Sequence, residues 1–153
     1  MVDVEHKDNI LRSFILFVQA AHAVLKYADA RFYQSGISLI KFIALQALEL
    51  NGGTMMPSHL AEWTFRERHD ISTLVDRLER DGFVSTERSH EDRRFVKIIL
   101  TGKGREALAR TLPAAKEVVA QTMCSVTDSD ALMMEKLLRT LRQNARDALK
   151  RVL

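Results

Sequence analysis

At 153 residues and 46% hydrophobic content, the chain has the size of one ordinary domain and enough apolar material for a core, which excludes a disordered segment. Its 23 basic and 20 acidic residues leave a formal charge of only +3, so bulk charge is a weak argument for a nucleic-acid partner, whatever the pI of 9.2 suggests. One cysteine, Cys124, excludes an intramolecular disulfide; no run of about 18 apolar residues stands out as a membrane span, and Met1-Val-Asp-Val-Glu5 lacks the opening of a signal peptide, so a cytoplasmic protein is expected.

From about Lys7 to Tyr33, Ile10, Phe14, Phe17, Ala21, Leu25, Ala28 and Phe32 advance by three or four, as the buried face of one helix about 40 Å long requires. Gly36 breaks it. Ser38 suits an N-cap for a second helix, Leu39 to Leu50, ended by Asn51-Gly-Gly53. Pro57 suits the first turn of a third helix that runs to about Phe65, and Arg66-Glu-Arg-His69 reads as the polar turn after it.

The fourth helix runs to about Asp81, with Ile71, Leu74, Val75 and Leu78 inward, the opposite face polar, and Gly82 as its exit. Phe83 to Arg88 and Arg94 to Leu100 read as a two-stranded ribbon around the polar turn Ser89 to Arg93. Thr101 caps a fifth helix, which Pro113 is expected to kink. Thr127-Asp-Ser-Asp130 caps a sixth, carrying Leu132, Met133, Leu137, Leu138, Leu141, Ala145, Leu149 and Val152.

A short helix, a second helix and a charged ribbon, in that order, form a winged helix-turn-helix, whose second helix enters a major groove while the ribbon tip reaches the neighbouring backbone or minor groove. The fold class is therefore mainly α with a small β-wing. Residues 1–37 form an N-terminal dimerisation helix, 38–104 the reader and 105–153 C-terminal dimerisation helices, together one intertwined unit. The end helices carry more apolar stripe than the reader can cover, which points to a symmetric homodimer. Charge is distributed against a simple electrostatic picture, since residues 58–104 hold nine basic and nine acidic residues.

The segments Leu60-Ala-Glu62, Leu74-Val-Asp-Arg-Leu-Glu79 with Gly82-Phe-Val84, Asp92-Arg-Arg94, and Leu100-Thr101 with Gly104 resemble the MarR family of bacterial winged-helix transcription regulators. The resemblance implies a homodimer with interlocked end helices and two recognition helices about one DNA turn apart on a palindrome. It implies that the helix around Ile71 to Asp81 enters the major groove, and that Arg94 contacts the minor groove or phosphates, with Asp92 orienting the wing arginines. The run Arg66 to Asp70 departs from the small polar run usual in the family. It is more charged and more acidic.

The DNA-contacting set read in this way is Arg66, Arg68, His69, Ser72, Thr73, Arg77, Arg93 and Arg94, with Asp92, Arg88 and Lys97 as wing support. Helical spacing also allows Arg77 to pair with Asp76 or Asp81 instead. A small-molecule effector pocket is expected where the dimer helices join the reader, with Phe14, Phe17, Phe32, Phe42 and Trp63 as candidate lining residues. Histidines 6, 22, 59, 69 and 90 form no zinc pattern, and Cys124 lacks a basic neighbour, so no metal or cofactor is expected and the thiol reads as buried and inert. Gly102-Lys-Gly104 lacks the spacing of a phosphate cradle, no nucleophile elbow is present, and an enzyme is not expected. The expected function is a dimeric repressor of a pseudo-palindromic operator, released by a small ligand; the alternative is a winged-helix module whose partner is protein.

Overall fold

The computed structural model describes residues 2–92 and 95–153, with side chains from residue 8 onward. In chain order these residues form α1 (Val2–Tyr33), α2 (Leu39–Leu50), β1 (Thr54–Met55), α3 (Pro57–Thr64), α4 (Arg68–Arg80), β2 (Val84–Arg88), β3 (Val96–Leu100), α5 (Gly102–Thr122) and α6 (Asp128–Val152). They divide into two compact units, Met1–Val118 and Val119–Leu153.

The expected elements form, with three differences. Helix α1 begins at Val2, five residues before the apolar period starts. The ribbon gains a third strand: Thr54 pairs with Ile99 and Met55 with Ile98, giving an antiparallel sheet ordered β1-β3-β2. Helix α4 begins at Arg68, so Arg68 and His69 belong to its first turn and not to the loop before it. Helix α5 runs on through Pro113 to Thr122.

In the first unit, α2, α3, α4 and the sheet close around Leu45, Leu48, Leu60, Ile71, Leu78 and Ile98, all withdrawn from water. A second cluster joins Ala28 and Phe32 of α1 to Val118 of α5, with Phe42 of α2 against it; the Phe32 and Phe42 rings meet edge to face, 5.1 Å between centroids. Arg31 and Glu117 pair beside this cluster, and the carboxylate holds the guanidinium still more firmly protonated than usual.

The apolar stripe of α1 that ends in buried Ala28 and Phe32 continues uncovered toward the N-terminus through Ile10, Phe14, Phe17 and Leu25. Over Asp8–Tyr33 this helix is long and apolar enough, by length and composition, to cross a bilayer, with a mean hydropathy of 1.3. That corrects the expectation of no such stretch. Polar residues such as Gln19, His22 and Lys26 interrupt the apolar run, so the average hydropathy reveals what a search for unbroken runs misses.

In the second unit, α6 starts at a capping box: the Asp130 amide donates to Thr127 Oγ1 at 3.1 Å and the Thr127 amide to Asp130 Oδ2 at 3.4 Å. No described residue of α6 is buried. Met134, Leu138, Leu141, Ala145, Ala148 and Val152 follow a four-three spacing, which is the seam of a helix that packs along another helix.

The reader is locked to α5 at one close junction. Thr101 Oγ1 donates to the Gly82 carbonyl at 2.6 Å and accepts from the Gly104 amide at 3.0 Å, while the Thr101 amide donates to Phe83 O. These bonds draw the start of α5 so near β2 that a Cβ on Gly104 would lie 2.1 Å from Phe83 O. Gly104→Ala must therefore move backbone, and its expected cost is about 2–3 kcal/mol, the upper part of the overpacking range. Urea denaturation measures this; a loss below about 0.5 kcal/mol, the scale of an inconsequential surface change, contradicts the reading.

Candidate nucleic-acid interface

Helix α3 ends where Phe65 takes left-handed dihedrals, φ 55° and ψ 41°, the one non-glycine residue with positive φ among the described residues. Such a conformation costs an L-residue about 1–2 kcal/mol, and it turns the chain sharply enough to start α4 within three residues. Glu67 is the N-cap and makes no side-chain capping bond. Asp70, third in the helix, places its carboxylate at the positive pole of α4, which gives the acidic character of this run a structural cause.

The 13 residues of α4 span about 20 Å. Ile71, Leu74, Val75 and Leu78 are buried, and on the remaining surface Arg68, His69, Ser72, Thr73, Asp76, Arg77 and Arg80 are exposed, as is Arg66 in the preceding turn. Ser72 Oγ donates to the Arg68 carbonyl at 3.1 Å and Thr73 Oγ1 to the His69 carbonyl at 3.2 Å. Their hydrogens are spent along the helix, so both hydroxyls present lone pairs outward and can accept from base amino groups.

An open cavity of about 290 Å³ lies along this helix, lined by Ile40, Arg66, His69, Asp70, Thr73, Leu74 and Arg77. It brings four of the sequence-derived contact residues together; Arg68 and Ser72 are exposed but do not line it. Ile40 and Asp70 belong to the site although contact reasoning had not selected them. Asp81 pairs with Lys41 of α2 at 2.6 Å and not with Arg77. No sequence period links positions 40 apart, so this partner was invisible in the pattern.

The ribbon narrows to a turn in which Ser89 Oγ accepts from the amides of Glu91 at 3.3 Å and Asp92 at 3.5 Å, while Phe95 N donates to Asp92 O and Ser89 N to Phe95 O. Arg88 and Lys97 are exposed on the two strands, with Lys97 opposite Glu87 in the register. Asp92 is half-buried and engaged. Arg93 and Arg94 lie outside the described residues.

Of the aromatic residues expected to line an effector pocket, only Phe32 and Phe42 come together. Phe14 and Phe17 lie more than 20 Å along α1 from Phe32 by helical rise, both exposed, and Trp63 belongs to neither buried cluster. Cys124 is exposed, against the expectation of a buried thiol, because it follows the end of α5 and lies beyond the last buried position, Val118. Among the described residues no three His, Cys, Asp or Glu side chains cluster as a metal site would need.

Residues 35–94, the α2-to-wing segment just described, match the MarR family model. That segment is similar to the MarR family. Among curated relatives, the HTH-type transcriptional repressor YetL of Bacillus subtilis is 29% identical over 141 residues, covering 92% of this chain and 82% of that protein. Among solved structures, a MarR family transcriptional regulator from Streptomyces coelicolor in complex with DNA superposes with a TM-score of 0.80 at 25% identity, over 91% of this chain and 87% of that one. An organohalide-sensing transcriptional regulator, RdhR, in its 2,4-dichlorophenol-bound form gives 0.77 at 26% identity, over 90% and 80%. The chain thus shares its winged-helix fold with regulators solved on DNA and with a small molecule.

Proposed function

We propose that this chain is a homodimeric, cytoplasmic transcriptional repressor that reads a pseudo-palindromic operator, with α4 in the major groove and the wing against the adjoining minor groove or phosphates. The observation that carries the reading is the segregation on α4, where four apolar side chains are buried and Ser72, Thr73 and Arg77 face solvent beside Arg66 and His69. A 20 Å helix fits a groove about 12 Å wide, and this mixture of arginine and hydroxyl groups suits both phosphates and base edges. The relative bound to DNA lends the same reading by similarity.

Dimerisation is supported by two uncovered apolar faces, that of α1 from Ile10 to Leu25 and the four-three seam of α6. Exposed stripes of this length usually mark an interface. For α1, a protein partner is favoured over a bilayer because the same stripe is already buried against protein at Ala28 and Phe32. A small-molecule effector, by analogy with the chlorophenol-bound relative, would act through a coupling of about 1–3 kcal/mol, enough to change operator affinity 5- to 150-fold. Any small molecule here is a ligand and not a substrate.

Two variants test this reading. Arg77→Ala is expected to weaken binding to a footprinted operator duplex by about 1–3 kcal/mol, measured by fluorescence anisotropy at two salt concentrations. Unchanged affinity would remove α4 from the interface and favour a protein partner for the wing domain. Leu141→Glu places a charge in the α6 seam and should turn the dimer into a monomer in analytical ultracentrifugation, with operator binding lost. A dimer that survives it contradicts the role given to α6.

A further inference from the structure

Two charges near the end of α4 stand on the wrong poles of their helices. Lys41 occupies the first turn of α2, where the positive pole disfavours a cation, and Asp81 caps α4, where the negative pole disfavours a carboxylate. They meet each other between the two helices, Lys41 Nζ donating to Asp81 Oδ2 at 2.6 Å, and both side chains are partly buried. Asp81 keeps right-handed helical dihedrals, φ −73° and ψ −12°, so it still belongs to the spiral of α4. Its neighbour one turn back is Arg77.

A carboxylate four residues after an arginine on one helix is within reach of it, and such a pair is a modest but favourable contact. No ion pair joins Arg77 to a carboxylate among the described residues; it lines the open cavity with Arg66, His69 and Asp70, the last two turns back on α4. The carboxylate that would otherwise engage it is held by Lys41. We propose that Lys41 is a positioning residue for the reading helix: by capturing Asp81 it keeps Arg77 unpaired and available to a duplex.

This rests on the DNA-binding reading for its consequence but not for its geometry. Without Lys41, Asp81 turns to Arg77, and the arginine must break an ion pair before it reaches DNA. A stability role alone would lower the melting temperature and leave the affinity of the folded protein as it was. The second-site change separates the two, since removing the Asp81 charge should release Arg77 even when Lys41 is absent.

The experiment compares the full-length wild type, Lys41→Ala, Lys41→Gln and the double variant Lys41→Ala/Asp81→Asn. Thermal melting establishes the folded fraction of each, and anisotropy measures binding to a duplex carrying the footprinted operator. Each single change at Lys41 is expected to lower affinity about two-fold, the cost of first breaking an exposed helical ion pair. The double variant should regain the wild-type affinity within the replicate error of the titration. Wild-type affinity in both single variants, or a double variant as weak as Lys41→Ala, overturns the proposal.

A DNA-free measurement keeps the two readings apart. In NMR spectra of the Arg77 side chain, Lys41→Ala should slow exchange of the Nε proton as the new ion pair forms, and Asp81→Asn should reverse it. If wild type binds no duplex, the repressor reading fails, and this exchange still decides whether Lys41 holds Asp81 away from Arg77. An Arg77 signal indifferent to Lys41 overturns the proposal.

Discussion

The structure depends most on the burial of one face of α4. Ile71, Leu74, Val75 and Leu78 are almost wholly withdrawn from water, and each such side chain contributes about 1.5–3 kcal/mol relative to exposure. Roughly 6–12 kcal/mol, as an upper bound, therefore opposes any rotation of this helix about its axis. That is comparable with the whole stability of an ordinary domain. The polar face has no choice but to point outward, and the left-handed turn at Phe65 and the junction at Thr101 fix where outward is.

The same geometry explains how a reader with balanced charge can present cations. Asp70 lies against the positive pole of its own helix, Asp81 is taken up by Lys41, and Glu79 accepts from the Thr86 hydroxyl at 2.8 Å. Two carboxylates of the α4 segment, Asp81 and Glu79, are thus engaged by side chains of other elements, while Arg66, His69 and Arg77 line an open cavity beside Asp70. Counting charges along a segment cannot see this separation. It exists only once the helix has a position relative to α2 and β2.

Much of the architecture was legible because its causes are local. The period of Ile71, Leu74, Val75 and Leu78, the Ser38 and Thr127 caps and the left-handed Gly82 each act within a few residues, and each appears where the sequence places it. What escaped was non-local or too short to carry a period. Strand β1 has two residues and exists only because Ile98 and Ile99 offer it a sheet edge. The Lys41–Asp81 pair spans 40 positions, and the start of α4 at Arg68 was hidden by a charged run that reads equally as loop or first turn. Cys124, expected to be buried near the end of α5, lies past the last buried position of that helix, Val118.

Hydroxyl-radical footprinting of the protein on the DNA upstream of its own coding sequence tests the central claim most directly, because it reports which face of the duplex is covered and at what interval. Two copies of α4 presented on one side of a duplex should protect two patches about 10 base pairs apart, centre to centre, on a single face of the helix. A single patch, protection spread evenly around the duplex, or no protection at all would contradict it.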